Sequence, residues 1–566
     1  MLPFILSVVV GSIVGLSAIL IKTLISYIEL YVVYFSPKAF FFLFPLVGFL
    51  VVTFLNQHVF KKISSFQGTR NVVDAIENKA SIINFRLMYS KFVTTGLTIG
   101  FGGSSGVEAA IITSGSAIGS NVGQLLGLGY RLRTLLIGCG IAAGISAVYN
   151  APMGGFIFAL ETVLPEFTPT LLIPLLISAA TGKILFEFIM GNHLRFDAPI
   201  TDFTYDQLPL VIMLGILTMI GARYLARTYD VCRQFFTRIK NVYLRALAGG
   251  LALGCVIFFL PAMYGEGYSS IDALLEGSEK SLLFRSPLAQ IPFSTWFSLF
   301  FFFLLTLVKP LSTGICVNSG GEGGYFAPSI ITGGFLGFLF YKIMSQLVPG
   351  ADLSAVTYIF LGMAGMFACV MNAPVTAIFL IAEITQSYQL FIPLMVVCAV
   401  SYLLKYYSEN LSFKIDQASD MRKSFRIDRI ILNQINVKQL IEKDFPVIPV
   451  GASFRELLEV YGNSNRNMIQ VIGENKLLVG LINVSEIRKI MPVAANYDAI
   501  LVKDIMEVPP ASVQTDEPPA QIMAKFDQLN VRYLPVFKKG RLKGFISRNR
   551  MLLQYREELT RANRFI

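Results

Sequence analysis

Histidine is almost missing from this chain of 566 residues, which has only two, neither set among other metal-ligating side chains. Without a cluster of ligands at metal-binding spacing, a catalytic metal centre is not expected. The six cysteines (Cys139, Cys232, Cys255, Cys316, Cys369 and Cys398) form no C-x-x-C pair and lie mostly in apolar surroundings, which points to buried free thiols. No Walker-type phosphate loop and no nucleophile–base pair occurs, so nothing suggests an enzyme or a cofactor requirement. Charge is scarce as well, at 15% of residues against ~25% in a soluble protein. Apolar residues take its place, at 54%, with a mean hydropathy of +0.62.

The charge that exists is unevenly placed. Residues 417–566 hold 39 charged residues and 1–416 hold 44. A membrane domain over 1–416 is therefore expected to give way to a soluble domain over 417–566. Apolar stretches such as 2–21, 39–55, 208–222 and 247–264 approach the ~20 residues of a spanning helix. Others are shorter or broken by Gly and Pro. Such segments predict tilted, broken or re-entrant helices, tolerated at membrane depth where protein or a water-lined cavity satisfies the backbone. The stretch 2–21 has no basic flank or cleavage site and reads as a retained first helix. The tail's basic excess, 23 against 16 acidic residues, favours a cytoplasmic position beside anionic lipid. It has no basic stripe with interleaved aromatics, so nucleic acid is not an expected partner.

The apolar region carries one glycine-rich motif twice, 218 residues apart: GGSSGVEAA at 102–110 and GGEGGYFAP at 320–328. Each is followed by Asn-Ala-Pro (150–152 and 372–374) and, nine residues after the proline, by a glutamate, Glu161 or Glu383. Two halves, approximately 1–200 and 201–416, with matching interrupted segments indicate an inverted-repeat transporter fold. In such folds broken helices aim their N-termini at an ion near the bilayer midplane. Helix starts suit an anion: the unpaired N–H groups donate, and the aligned dipoles add about half a positive charge each. Glu161 and Glu383, at equivalent positions, are expected to fix helix ends.

These motifs, in this order, resemble the CLC family of chloride channels and proton/chloride exchangers. Residues 102–120 are similar to the family's GGSxGREGPxxQxGSxxGS, Gly324–Pro328 to its GxFxP, and 66–70 to its GSGIP. The resemblance implies a homodimer with one anion pathway per subunit, in a plasma or inner membrane. It makes Glu108 the gating carboxylate and places the anion among Gln67, Gly68, Gly106, Val107, Gly324, Tyr325, Phe326 and Ala327. The family's inner-gate tyrosine falls at Leu411 or Ser412. Three departures stand out. GREGP is reduced to Gly106-Val-Glu-Ala-Ala. Thr162 occupies the position where exchangers carry an inner, proton-relaying glutamate. Glu322 adds an acid, read as a solvated charge at the outer mouth or, alternatively, as an extra proton acceptor or an anion-repelling gate.

In the tail, Val437-Lys-Gln-Leu and Val502-Lys-Asp-Ile each open a unit of about sixty residues, with Gly480 and Gly544 at matching places. This resembles a tandem pair of CBS modules, approximately 430–492 and 498–558, forming an α/β domain. The ribose-holding positions of nucleotide-binding members correspond to Asn483/Glu486 and Ser547/Arg550. Arg550 puts a cation where the acceptor belongs, so an adenine nucleotide is not favoured.

The expected architecture is thus an all-α multi-pass membrane domain with an α/β CBS tail. The expected activity is passive, gated chloride conduction, because Thr162 cannot carry a proton as a carboxylate does. A proton-coupled chloride or fluoride antiporter is the first alternative, and a transport-defective nucleotide sensor the second.

Overall fold

The computed structural model describes residues 1–35, 40–61, 68–164, 169–191, 196, 203–348, 352–410, 435–464, 466–473, 477–491, 497–515, 517–538 and 541–563. Gln67, Leu411, Ser412 and the expected domain boundary near 416 lie outside them. Two compact units are present, Met1–Gln417 and Ala418–Ile566.

The first unit is helical. Its first half contains α1 (Leu2–Phe35), α2 (Phe44–His58), α3 (Gly68–Asn78), α4 (Leu87–Gly100), α5 (Glu108–Leu125), α6 (Tyr130–Tyr149), α7 (Pro152–Thr162) and α8 (Pro169–Met190). The second half runs α9 (Leu208–Thr237), α10 (Val242–Phe259), α11 (Tyr268–Leu275), α12 (Thr295–Ser319), α13 (Phe326–Leu347), α14 (Ala355–Met371), α15 (Pro374–Ile384) and α16 (Phe391–Asn410). Among the described residues, nine helices are long and apolar enough to cross a membrane. Others fall short: α7 and α15 have 11 residues each, about 16 Å of rise against a ~30 Å hydrocarbon core.

The repeat is visible in how the halves are built. Helices α5 and α6 touch through glycines; a Cβ on Gly140 would lie 2.0 Å from the Gly115 carbonyl oxygen. Helices α13 and α14 make the equivalent contact, where a Cβ on Gly362 would lie 2.2 Å from the Gly333 oxygen. Where lipid removes the hydrophobic drive between helices, such close backbone packing supplies the attraction. Helices α6 and α14 both end on a left-handed asparagine, Asn150 (φ 56°) and Asn372 (φ 54°), a conformation asparagine tolerates better than most residues. Proline then opens α7 and α15, where its missing N–H costs nothing.

Glu161 on α7 accepts from the Val375 and Thr376 N–H groups at the start of α15, at 3.2 and 2.8 Å. Glu383 on α15 accepts from Met153 and Gly154 at the start of α7, at 3.0 and 2.8 Å. Each glutamate thus caps the other half's helix. All six cysteines are free thiols; five are buried, and Cys255 is exposed on α10.

The second unit repeats as well. Its first module has α17 (Val437–Leu440), β1 (Val447–Pro449), α18 (Phe454–Gly462), β2 (Met468–Ile472), β3 (Leu478–Asn483) and α19 (Val484–Ile490). Its second has α20 (Val502–Ile505), β4 (Val513–Gln514), α21 (Pro519–Leu529), β5 (Tyr533–Lys538), β6 (Arg541–Ser547) and α22 (Arg548–Asn563). Each module forms a three-stranded sheet, with its first two strands parallel and the last two antiparallel. The leading segments are exchanged. Glu442 pairs with Phe545 on β6 through two main-chain bonds (2.8 and 2.9 Å), and Glu507 pairs with Leu481 on β3 likewise. Accordingly Val437 and Leu440 lie in the second module's core, and Val502 in the first's.

Candidate functional site

The two glycine-rich loops meet. Gly106 and Gly324 pair antiparallel, each N–H donating to the other's carbonyl oxygen at 2.9 Å. The starts of α5 and α13, 218 residues apart in sequence, are thereby held side by side with opposite chain directions. A Cβ on Gly106 would stand 2.1 Å from a carboxylate oxygen of Glu108 and 3.0 Å from Ala327 Cβ, so any side chain here would press on Glu108.

Glu108, the first residue of α5, is fully buried. One carboxylate oxygen receives the Tyr149 hydroxyl and lies 3.4 Å from that of Tyr268; the other lies 3.4 Å from the Ala327 N–H at the start of α13. The two tyrosine hydroxyls are 2.5 Å apart. A buried carboxylate survives only with donors of this kind. Phe326 completes the surroundings, its ring stacked on Tyr149 at 5.5 Å and edge-on to Phe367 at 4.5 Å.

Gly68, Gly324, Tyr325 and Phe326 line a cavity of about 330 Å³ together with Arg70, Ala109 and Tyr229. The Gly68 N–H is occupied by the Thr113 hydroxyl at 2.9 Å.

Segment 264–268, which leads into α11, braces the first loop at four points. The Tyr264 hydroxyl donates to the Gly100 carbonyl (3.1 Å), the Gly265 N–H approaches the Gly102 carbonyl (3.4 Å), Glu266 accepts from the Val107 N–H (3.1 Å), and Tyr268 reaches Glu108. Lys309 of α12, fully buried, donates to Ser104 Oγ (2.9 Å) and the Gly265 carbonyl (3.1 Å).

Glu322 corrects the expectation of a solvated charge. It is 6% exposed and accepts from Lys91 Nζ (2.9 Å), Asn56 Nδ2 (2.8 Å) and the Thr94 hydroxyl. Its own N–H donates to Thr98 (2.9 Å). The physical reason is that an acid at this depth needs a counter-charge, and Lys91 supplies it. Thr162 is half-buried and donates to the Phe158 carbonyl of its own helix at 2.6 Å.

In the tail, Ser547 donates to Glu442 at 2.9 Å, and the Arg550 N–H donates to Ser547 at 3.3 Å. The Arg550 guanidinium lies 4.0 Å from Glu442, which Arg466 also engages at 2.8 Å. The anion beside Arg550 is therefore an internal carboxylate. Asn483 precedes α19 without capping it through its side chain; the Glu486 side chain lies outside the described residues.

Sequence reading missed Tyr149, Tyr268, Glu266, Lys91 and Lys309. The two lysines could have been found as charges inside apolar segments, which need a partner or a function. Tyr149 stands directly before Asn150-Ala-Pro, among small residues, but nothing local marks its reach to Glu108.

Residues 46–406 match the model of the voltage gated chloride channel family, and residues 502–556 match that of the CBS domain. The chain is 28% identical over 424 residues, 70% of its length and 84% of the other's, to the H(+)/Cl(-) exchange transporter ClcA of Salmonella typhi. It is 28% identical over 376 residues to the chloride channel protein CLC-e of Arabidopsis thaliana, 62% of this chain and 50% of that one. A solved CLC-type fluoride/proton antiporter superposes with a TM-score of 0.60 at 24% identity, over 72% of this chain and 95% of that one. With the family model covering well over half its length, the chain belongs to the CLC family of membrane anion transport proteins.

Proposed function

We propose that the chain exchanges chloride for protons through a pathway gated by Glu108, one pathway in each subunit of a homodimer, with the CBS tail on the cytoplasmic side. The observation that carries this is the position of one carboxylate at the meeting of two helix starts, where its oxygens take the place an anion would take. The carboxylate faces Ala327 N–H and is held by a tyrosine hydroxyl. On protonation it loses the charge that those donors favour, and an anion replaces it.

Exchange is preferred to the passive conduction expected from the sequence because several relatives carry the name H(+)/Cl(-) exchange transporter. The paired hydroxyls of Tyr149 and Tyr268 also form a hydrogen-bonded chain that ends on Glu108. Passive chloride conduction is the second reading, favoured by Thr162, whose hydroxyl is spent on its own helix. The engaged, buried Glu108 argues against a decayed transporter kept as a nucleotide sensor.

Purified protein in sealed vesicles under an imposed chloride gradient tests this. Exchange drives protons uphill at a fixed ratio to chloride. A reversal potential that follows chloride alone refutes exchange and leaves passive conduction. Repeating the experiment with fluoride identifies the preferred anion.

A further inference from the structure

Three main-chain N–H groups sit around the loop pairing, and each already has an acceptor. Gly106 N–H is used by the Gly324 carbonyl, Ala327 N–H faces Glu108, and Val107 N–H is taken by Glu266 at 3.1 Å. Two of these acceptors are carboxylates, delivered from different parts of the chain. Glu108 comes from α5 itself and is fully buried, whereas Glu266 comes from the segment before α11 and is only half-buried.

Glu266 is not placed there by chance packing. Its neighbour Gly265 is anchored on both faces, by Lys309 Nζ on its carbonyl (3.1 Å) and by its own N–H toward Gly102 (3.4 Å). Two residues later, Tyr268 reaches Glu108. The charged groups that bear on Glu266 are thus Glu108 from α5 and Lys309 from α12, with Glu29 close to the neighbouring Gly265. Lys309 brings one positive charge to a neighbourhood with three carboxylates. A carboxylate kept on an amide that could instead solvate an anion is a tethered competitor for that anion.

We propose that Glu266 is a second carboxylate of the pathway, competing with the transported anion for the Val107 N–H and so setting how much anion is needed to fill the site. This rests on the reading of Glu108 and the two helix starts as the anion pathway. Glu266 acts at the entry and Glu108 at the seat. Their spacing along one brace through Tyr268 means that displacing Glu266 also loosens a contact of Glu108.

The test measures flux against chloride concentration for full-length protein in vesicles, with Glu266→Gln, Glu266→Ala and Glu108→Gln in parallel. Glu266→Gln keeps an oxygen for Val107 and removes the charge; Glu266→Ala removes both. The half-saturating chloride concentration is expected to fall about three- to tenfold in Glu266→Ala and by less in Glu266→Gln, with a larger effect on that concentration than on the maximal rate. An unchanged or raised half-saturating concentration in both variants overturns the inference. So does a native curve in Glu266→Gln beside a poorly folded Glu266→Ala, because the contact is then a helix cap only. If Glu108→Gln leaves flux untouched, the underlying pathway reading fails; if Glu108→Gln acts and the Glu266 variants do not, only this inference fails.

Discussion

Replacing Tyr149 by Phe removes one oxygen and little else. The ring's stacking on Phe326 at 5.5 Å and its edge contact with Tyr268 at 6.2 Å remain available to phenylalanine, so no cavity opens. What disappears is the hydroxyl donor to Glu108 and the 2.5 Å contact with the Tyr268 hydroxyl. A hydrogen bond to a charged group is worth about 1.5–3 kcal/mol, and its loss is not made good by water at a fully buried site. Tyr268, already 3.4 Å from the same oxygen, retains part of the interaction, so the lower half of that range applies. The seated carboxylate is then disfavoured by about 13- to 45-fold relative to its displaced form. Chloride flux at neutral pH should rise accordingly, and its dependence on pH should flatten toward that of Glu108→Gln. Stopped-flow or electrode recording of chloride release from vesicles across pH 4–8, with the variant's elution profile matching the native protein, provides the measurement. Native flux at every pH in Tyr149→Phe, and also in the double variant with Tyr268→Phe, would refute the idea that these hydroxyls hold the gate.

Other consequences can be checked with the same preparations. Lys91→Met or Glu322→Gln alone leaves a buried partner exposed to an apolar interior and should cost about 3–5 kcal/mol, while the double variant recovers much of the loss in thermal unfolding. Glu161→Ala and Glu383→Ala should each lower stability by about 1–2 kcal/mol through the lost helix caps, yet leave the proton-to-chloride ratio unchanged. Calorimetry on the full-length protein should detect no micromolar adenosine binding, because Glu442 already engages Ser547 and faces Arg550; clear binding without a phosphate requirement would show that assignment wrong.

The sequence made the duplicated architecture legible because duplication leaves linear marks. Paired glycine loops, Asn-Ala-Pro segments and equally spaced glutamates can be aligned by eye, and Glu108 is marked by the motif around it. Its surroundings were not legible in the same way. Tyr149 and Tyr268 lie 41 and 160 residues from Glu108, and Lys91 lies 231 residues from Glu322. No periodicity encodes such meetings; they follow from how whole helices pack. Glu322 was misjudged for this reason, since an acid without a visible local partner reads as solvated. The exchange of leading segments in the tail escaped notice likewise, because strand pairing between modules does not alter the pattern within either one.

The reciprocal bonding between the halves has a consequence for how the molecule can change. Gly106 and Gly324 clasp one another, and Glu161 and Glu383 each close a helix belonging to the opposite half. Neither half alone completes the surroundings of Glu108: Tyr149 comes from the first half, Tyr268 and Ala327 from the second. The same contacts tie the two halves together at the site, so on the reading proposed for Glu108 the route opens by moving one side chain and not by sliding one half against the other.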